Sequence, residues 1–301
     1  MRSALSPSGA NMTRATLVGF TAIALWALLA LFTVGTSPVP AFQLNALTFA
    51  IGGAIGVVWI TKNRQWAALR TVSLKVYAFG TLGLFGYHAI YFSALRLAPA
   101  AEASLIAYLW PLLIVVLSGL LPGEKLRPGH VLGALIGFAG AALIVGGKAQ
   151  GLDPAHLPGY LLALGCAFTW SGYSIISRRL GSAPTETVVV FCLATALLSV
   201  PCHLLWEETA WPPTVTGWLS IIGLGAGPVG LAFYTWDHGV KKGDIQLLGV
   251  ASYAAPLLST LALVLSGLAE LTWQLGLAAL LVTGGAVIAA RASFRRLPST
   301  G

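Results

Sequence analysis

The sequence predicts an all-α membrane protein of ten transmembrane helices, built from two inverted five-helix repeats with both termini in the cytoplasm. Three observations support this prediction: the composition, a series of apolar stretches and the distribution of basic residues. Of the 301 residues, 57% are hydrophobic and 9% are charged, whereas soluble proteins carry about 25% charged residues. A soluble fold of this length could not bury so much apolar surface, so we expect lipid to surround most of the chain.

The chain contains ten apolar stretches that are each long enough, at about 20 residues, to cross a bilayer as a helix. The first is longer than the apolar core of a signal peptide, which is about 7–15 residues, so it is interpreted as a transmembrane helix. The connections are short and leave no room for a soluble domain. The ten stretches are residues 14–34, 42–61, 74–95, 101–121, 130–147, 158–178, 187–206, 215–236, 245–268 and 272–291.

The basic residues orient these helices. With a cytoplasmic N-terminus, fifteen Lys and Arg residues fall on the cytoplasmic side and two, Arg96 and Lys148, on the other. Such an excess is typical of cytoplasmic connections. The net charge of +8 therefore indicates how the helices are oriented in the membrane and does not indicate nucleic-acid binding. A multi-pass protein of the inner membrane is therefore expected. The fifteen are Arg2, Arg14, Lys62, Arg64, Arg70, Lys75, Lys125, Arg127, Arg178, Arg179, Lys241, Lys242, Arg291, Arg295 and Arg296.

The sequence also repeats itself, with a period of about 145 residues. Trp26 and Trp170 occupy matching places, and the segment Tyr108-Leu109-Trp110-Pro111-Leu112-Leu113 resembles Tyr253-Ala254-Ala255-Pro256-Leu257-Leu258. Because each half holds an odd number of helices, tandem copies enter the membrane in opposite senses, an arrangement typical of secondary transporters. We expect a tail over residues 1–13, one repeat over 14–149, a second over 150–292 and a tail over 293–301.

Signatures of other functional classes are absent from the sequence. It has no His-Glu-x-x-His motif, no phosphate-binding glycine loop and no paired acids within one span, so no catalytic residue, cofactor or metal site is expected. Cys166, Cys192 and Cys202 lack the spacing of a ligand set and are interpreted as free core residues. The expected partners are the lipid bilayer and a small molecule, without nucleic acid. A monomer is compatible with the sequence, which does not determine the oligomeric state.

Polar side chains inside the spans are candidates for a binding site, because a polar group in lipid needs a partner or a cavity. The third helix carries Tyr87, His88 and Tyr91. For His88 three interpretations stay open: a contact to a substrate carboxylate, exchange of a proton, or a structural hydrogen bond. Asn45 in the second helix is a further candidate contact. Glu102 and Asp237 lie near predicted helix ends, where they are expected to reach water.

Two prolines at matching places, Pro111 and Pro256, predict interrupted helices in the fourth and ninth spans. Paired interruptions are typical of transporter binding sites, and a plain structural kink is the alternative. The deep aromatic residues are expected either to line a cavity for a planar apolar solute or to pack between helices. They are Trp26, Tyr108, Trp110, Trp170, Tyr173 and Tyr253.

The glycines and the positions of the basic residues give further information on helix packing and on the substrate. Gly52-x-x-x-Gly56 and Gly133-x-x-x-Gly137 predict close helix packing, with a gating hinge as the alternative. No Lys or Arg falls near the predicted middle of a span, and a phosphorylated sugar would require one. A sugar phosphate is therefore a less favoured substrate. The sequence does not decide whether a solute gradient or a proton drives transport.

The sequence resembles members of the drug/metabolite transporter superfamily, in its ten-helix form with two EamA-type domains. The resemblance covers nearly the whole chain. It rests on the duplicated unit and on the following motifs: Trp26, Ala94-Leu95-Arg96-Leu97-Ala98-Pro99-Ala100, Ala103-Ser104-Leu105-Ile106, Trp110-Pro111-Leu112, Gly123-Glu124-Lys125-Leu126 and Gly133-x-x-x-Gly137-x-x-Gly140. The second half departs from the pattern, because Lys241-Lys242-Gly243-Asp244 replaces the turn after the third helix, so the two halves need not contribute equally to the site.

Within the superfamily, two segments are similar to those of exporters of aromatic amino acids, namely Gly86-Tyr87-His88-Ala89-Ile90-Tyr91-Phe92 and Tyr108-x-Trp110-Pro111. The resemblance implies export of small hydrophobic metabolites, aromatic amino acids above all, by alternating access. His88 and Asn45 would contact polar substrate atoms, and Pro111 and Pro256 would shape the helices of the gate. The alternatives are another superfamily substrate (a drug, a nucleobase, another amino acid or a sugar derivative), a membrane-embedded enzyme, and a sensor or assembly subunit.

Overall fold

The structure, a computed structural model, describes residues 9–146, 149 and 151–294. Arg2, Lys148, Arg295 and Arg296, which entered the charge count, lie outside the described residues. Helices make up nearly all of the described chain. In chain order they are α1 (Gly9–Trp26), α2 (Leu29–Gly35), α3 (Ala41–Lys62), α4 (Trp66–Arg70), α5 (Leu74–Leu97), α6 (Ala100–Ala107), α7 (Trp110–Ser118), α8 (Pro128–Val145), α9 (Leu157–Arg179), α10 (Thr187–Trp206), α11 (Val215–Ala226), α12 (Ala232–Lys242), α13 (Ile245–Ala251), α14 (Ala254–Leu265) and α15 (Trp273–Phe294).

Each of the ten apolar stretches is helical, and within the described residues nine helical segments are long and apolar enough to cross a membrane. The stretch outside that set is α5, whose 24 residues are sufficient for a span but include Tyr87, His88 and Tyr91. These polar side chains lower the mean hydropathy of α5. The all-helical, multi-pass fold is thus confirmed.

Several spans consist of two helices in line. The first joins α1 to α2, the fourth α6 to α7, and the ninth α13 to α14. In the eighth, α11 meets α12 through a wider turn of π-helix, Gly227–Leu231. Such π-turns commonly occur at functional sites, and this one contains Pro228, whose carbonyl oxygen accepts a hydrogen bond from Trp26 Nε1 at 3.1 Å.

The eighth span ends later than the sequence suggested, at Lys242 rather than at residue 236. This extension corrects the expectation that Asp237 reaches water. Asp237 is fully buried, its carboxylate lies 2.8 Å from Lys241 Nζ, and Thr185 donates to it at 2.8 Å. The physical reason is a close approach of α1 to α12, because a methyl group on Gly239 would lie 2.6 Å from the Gly19 Cα. Glu102 is buried as well, at 5% exposure.

Matching helices of the two halves pack against each other in antiparallel pairs. In the pair of α8 and α15, a methyl group on Gly129 would meet Ala292, whereas one on Gly140 would meet Ala278. In the pair of α3 and α10, Asn45 contacts Ser199; further along, a methyl group on Gly56 would meet Val189. The residue number rises on one helix as it falls on the other in both pairs. An inverted repeat requires this arrangement, because its two-fold axis reverses each helix.

The predicted close packing at glycine is present between α8 and α15. A methyl group on Gly133 or on Gly285 would lie 2.5 Å from the carbonyl oxygen of the other residue. Real side chains do not approach backbone atoms so closely, so the two helices must separate to accept one. Packing of this kind drives helix association in lipid, where hydrophobicity does not.

We expect Gly285→Ala to lower the stability of the protein, because the added methyl group collides with backbone atoms of α8. The cost of such overpacking is about 1–3 kcal/mol. Thermal unfolding of the purified protein in detergent measures the effect as a lower midpoint temperature. The matched control is Gly284→Ala on the same helix turn, where nothing lies within 4 Å of the added methyl group. Equal midpoints for the two variants would contradict the packing described here.

Candidate functional site: an aromatic cavity between the two halves

A cavity of about 340 Å³ lies between the two halves of the chain. Aromatic and other apolar side chains form most of its wall, and hydroxyl groups form the rest. No Lys, Arg, Asp or Glu of the described residues lines it. Its principal wall residues are Trp26, Tyr87, His88, Tyr91, Ser104, Tyr108, Trp110, Trp170, Phe233, Pro256, Ser259 and Thr260.

Four tryptophans close one end of this cavity. The ring centre of Trp26 lies 6.1 Å from that of Trp110 and 6.0 Å from that of Trp170, with the rings edge to face. Trp236 lies beneath them, 5.1 Å from Trp26, is fully buried and donates its indole N–H to Ser174 at 3.1 Å. Edge-to-face pairs contribute about 0.5–1.5 kcal/mol each beyond their buried area, so these rings form a cohesive floor.

An ion-pair network seals the same end below the tryptophans. The Arg178 guanidinium at the end of α9 lies 2.6 Å from the Glu124 carboxylate, which follows α7 in the other half of the chain. Its second nitrogen donates to the carbonyl oxygens of Val240, Lys241 and Gly243 at 2.7–3.2 Å. One side chain thus holds the end of α12, α9 and the first half together. We call this end of the molecule the closed end.

The opposite side of the cavity continues into a second, larger chamber of about 750 Å³. The two spaces share Tyr87, His88, Tyr91 and Tyr108 as walls. The chamber extends along α2 to the connection formed by residues 36–39. We call this the open end, since the structure joins the cavity to this end of the helix bundle and blocks it at the other.

His88 has a defined hydrogen-bond pattern. Its Nδ1 lies 2.8 Å from the carbonyl oxygen of Leu84, one turn earlier on α5. A carbonyl oxygen can only accept, so Nδ1 carries the proton, and in the neutral ring Nε2 is an acceptor. The rings of Phe49, Phe92 and Phe233 hold the imidazole, with centres 5.0–6.2 Å away. A neutral His88 therefore offers a lone pair to a donor such as an ammonium group, rather than a proton to a carboxylate.

Hydroxyl groups supply the donors of the cavity. Tyr91 Oη and Ser104 Oγ lie 2.9 Å apart and share one hydrogen bond, which leaves the pair a second hydrogen to donate. Tyr108 lines the same wall, and its hydroxyl makes no hydrogen bond to another described residue. The cavity can thus bind both a donor group and an acceptor group of a solute without any formal charge of its own.

Comparison with known proteins identifies the family. The profile of the EamA-like transporter family matches residues 13–146 and, a second time, residues 157–291. This chain belongs to the EamA-like transporter family. EamA-like proteins are transporters and not enzymes, so the expected functional class is confirmed, as is the predicted resemblance.

Three curated relatives of this EamA-like chain carry the name aromatic amino acid exporter YddG. The one from Ancylobacter novellus is 54% identical over 281 residues, which are 93% of this chain and 98% of that protein. Those from Salmonella typhimurium and Escherichia coli are each 26% identical, over 94% and 92% of this chain. A crystal structure with 54% sequence identity superposes with a TM-score of 0.90 and covers 95% of this chain and 100% of the other.

Not every predicted site residue of this EamA-like chain lies on the cavity. Asn45 lines the second chamber, and its amide donates to Ser199 at 2.7 Å. Tyr173 is buried behind Trp170, with stacked rings 5.1 Å apart. Tyr253 is fully buried, and its hydroxyl accepts a hydrogen bond from the Leu112 N–H at 3.0 Å. Pro111 is buried beside the wall, whereas Pro256 belongs to it.

Sequence reasoning missed other wall residues, namely Phe233, Ser104, Ser259 and Thr260. Phe233 could have been found, since it follows His88 by the period of the repeat, about 145 residues. The polar residues carried no signal, because single serines and threonines are common in transmembrane helices, where they bond the carbonyl four residues earlier. Thr260 makes that contact with Pro256, at 2.9 Å.

Each proline follows a short turn that joins the two helices of its span. Before Pro111, the Leu109 N–H bonds to the Ile106 carbonyl, and before Pro256 the Tyr253 N–H bonds to that of Val250. Each is a tighter, three-residue turn in a right-handed path. The role of Pro111 and Pro256 in a gate stays a prediction. Each turn also brings a tyrosine to a distinct position: Tyr108 to the cavity and Tyr253 to Leu112.

Tyr253→Phe is expected to lower the unfolding temperature, because it leaves the buried Leu112 N–H without its acceptor, at a cost of about 1–3 kcal/mol. Its repeat counterpart supplies the control. Tyr108→Phe removes a hydroxyl from the cavity wall, where water can replace it, and should change the midpoint little. Thermal unfolding in detergent compares the two variants, and a larger effect for Tyr108→Phe would contradict the assigned contacts.

Proposed function

We propose that the protein is a secondary transporter that exports small hydrophobic metabolites, chiefly aromatic amino acids and their analogues, by alternating access through the central cavity. The observation that carries the proposal is a cavity walled by aromatic rings and neutral polar groups between two matching halves. The curated relative with 54% identity is named an exporter of aromatic amino acids. The absence of Lys and Arg from the described lining argues against a phosphorylated substrate.

An aromatic amino acid matches this lining group by group. The cavity has a volume of about 340 Å³, which lies at the lower end of the range for small-molecule pockets, about 300–1,000 Å³, and so suits a solute of this size. The ring would lie against Trp110 and Trp170. The ammonium group would donate to Nε2 of His88, and the carboxylate would accept from the hydroxyls of Tyr91 and Tyr108. In this binding mode His88 contacts the ammonium group of the substrate.

We propose ten spans with both termini in the cytoplasm of the inner membrane, so that α5 is a transmembrane helix. Support comes from the excess of basic residues at the closed end, which includes Lys62, Lys75 and Arg178. The two repeats, residues 14–149 and 150–292, then have opposite orientations, as the antiparallel pairing of their matching helices requires. The structure is in this assignment an outward-facing state, open to the exterior and closed to the cytoplasm.

Alternating access follows from the symmetry of the halves. In an inverted repeat the second state is formed when the halves exchange their conformations. Tyr108 lines the cavity now, while its counterpart Tyr253 is buried. In the inward-facing state we expect Tyr253 to line the cavity and Tyr108 to be buried, with the helices bending at Pro111 and Pro256. Trp26 and Trp170, which are counterparts in contact, remain near the centre in both states.

The first test is solute flux into liposomes that contain the purified protein. Radiolabelled phenylalanine and tryptophan are expected to enter, whereas threonine and a sugar phosphate are not. Trp110→Ala should reduce aromatic flux by at least about tenfold, because it removes one wall and part of the floor. A protein that is folded by its unfolding profile and moves none of these solutes would overturn the proposed substrate class.

A second test concerns the role of His88. His88→Phe keeps an aromatic ring but loses the acceptor, so phenylalanine flux should fall by about 10–150-fold, the effect of losing a hydrogen bond of about 1.5–3 kcal/mol to a charged group. Flux of 3-phenylpropionate, an anion that lacks the ammonium group, should be unchanged. If both solutes are affected equally, His88 has a structural role. If neither is affected, His88 does not contact the transported solute.

A third test concerns the closed end. Glu124→Gln weakens the contact with Arg178 by about 1 kcal/mol, so the closed end should open about fivefold more often. A cysteine introduced at Ser174, below the tryptophan floor, reports this opening through its rate of labelling by a water-soluble maleimide, after replacement of Cys166, Cys192 and Cys202. Glu270→Gln, in the matching position of the second repeat, is the control and should leave the labelling rate unchanged. An unchanged rate in Glu124→Gln would remove Glu124 from the seal.

A further inference from the structure

A third space, separate from the transport cavity, lies on the outer surface of the bundle at the closed end. It is a groove of about 630 Å³ between α1, α3 and α12, and the connection formed by residues 181–186 covers its end. We call it the lateral groove. Val18 of α1 and Ile55 and Trp59 of α3 form its sides. Nothing in the transport mechanism uses these residues.

The floor of the lateral groove is one stripe of residues, Leu231 at the end of the π-helical turn and Thr235, His238 and Lys242 on α12. Residues three and four apart lie on one helix face, so the stripe is continuous. It runs for about 16 Å along the helix at 1.5 Å per residue, which is close to one leaflet of a bilayer core of about 30 Å. Leu231 at the deep end is 45% exposed, and Lys242 at the other end is exposed. The groove is therefore apolar at depth and polar at the surface.

Adjacent lysines at the end of α12 have different environments. Lys241 points inward, where it contacts Asp237 and donates to the Ala183 carbonyl. Lys242 points into the lateral groove and makes no hydrogen bond or ion pair with the described residues. Lys242 thus remains available at the mouth of an apolar groove.

A carboxylate faces the same mouth. Glu186 lines the groove and makes no hydrogen bond or ion pair to a described residue. The rim therefore offers positive charge for a phosphate and, beside it, a negative acceptor for an amine. Trp59 lies at the same level, and tryptophan is enriched where lipid head groups meet the hydrocarbon core.

From this arrangement we propose that the lateral groove binds one molecule of phosphatidylethanolamine. The phosphate contacts Lys242, the ammonium group donates to Glu186, and an acyl chain lies along the stripe that ends at Leu231. A purely anionic head group would meet the Glu186 carboxylate, and a choline head group cannot donate a hydrogen bond to it. The proposal concerns a lipid site and does not depend on the identity of the transported solute.

Native mass spectrometry of the purified protein tests the proposal with three lipids that share the same acyl chains. Phosphatidylethanolamine should bind more tightly than phosphatidylglycerol or phosphatidylcholine. Lys242→Gln should weaken the binding of phosphatidylethanolamine by about fivefold, the contribution of one basic residue at a membrane surface. Lys75→Gln removes an exposed charge of the same sign from the same end of the bundle, on α5, and should have no effect.

A second variant distinguishes binding of the ammonium group of the lipid from binding of its phosphate. Glu186→Gln should remove the preference for phosphatidylethanolamine over phosphatidylglycerol while binding of the phosphate persists. The unfolding midpoint temperature of each variant is measured as well, and only variants that match the unaltered protein are compared, so that a loss of fold is not mistaken for a loss of lipid binding. Equal binding of the three lipids by the unaltered protein would overturn the proposal. Tighter binding of phosphatidylglycerol would instead indicate a basic surface that binds anionic lipids in general. Equal effects of Lys242→Gln and Lys75→Gln would place the lipid elsewhere.

Discussion

The structure depends first on the absence of water from the bilayer core, where each polar group needs a partner inside the protein. This constraint accounts for contacts that are far apart in the sequence. Asn45 bonds to Ser199, Trp236 to Ser174, and Thr185 to Asp237, in each case within the bundle. At the open end, Arg96 and the first N–H groups of α3 share the carboxylate of Glu207. Where hydroxyl groups lie on the cavity wall instead, they are available to a solute.

The same constraint explains why glycine has such a large part in the assembly. In lipid, apolar surface alone gives no preference for a helix partner, so close contact between backbones must supply it. The halves meet at Gly19 with Gly239, Gly52 with Gly230 and Gly133 with Gly285. Each contact joins one half to the other, because in every pair one glycine comes from each repeat. The contact of Gly133 with Gly285 joins the equivalent helices α8 and α15, and the other two join the eighth span to α1 and α3.

The two halves of the chain contribute different side chains to the cavity wall, so the wall is not symmetric. Tyr108 and Tyr253 are counterparts, yet one lines the cavity and the other accepts a backbone hydrogen bond from Leu112. His88 faces its counterpart Phe233, with ring centres 6.2 Å apart. A symmetric fold thus holds an asymmetric wall, with its hydrogen-bonding groups mainly in the first half. The closed end adds a further asymmetry, since Arg178 pairs with Glu124 there, whereas Glu270, the counterpart of Glu124, is exposed.

The sequence by itself determined the helical class, the ten apolar stretches and the period of the repeat, because each depends on local composition or spacing. It also indicated most of the cavity wall, since Tyr87, His88, Tyr108 and Trp170 are unusual inside apolar helices. Only the tertiary structure decided that Tyr253 and Tyr173 lie behind the wall and that Asp237 is buried against Lys241. It also decided which ring nitrogen of His88 carries a hydrogen. These properties depend on the three-dimensional neighbours of each side chain. Tyr253 meets Leu112 of α7, and Asp237 meets Thr185 as well as Lys241. Even for His88, whose partner Leu84 is one turn away, only the orientation of the ring within the fold determines which nitrogen faces the carbonyl.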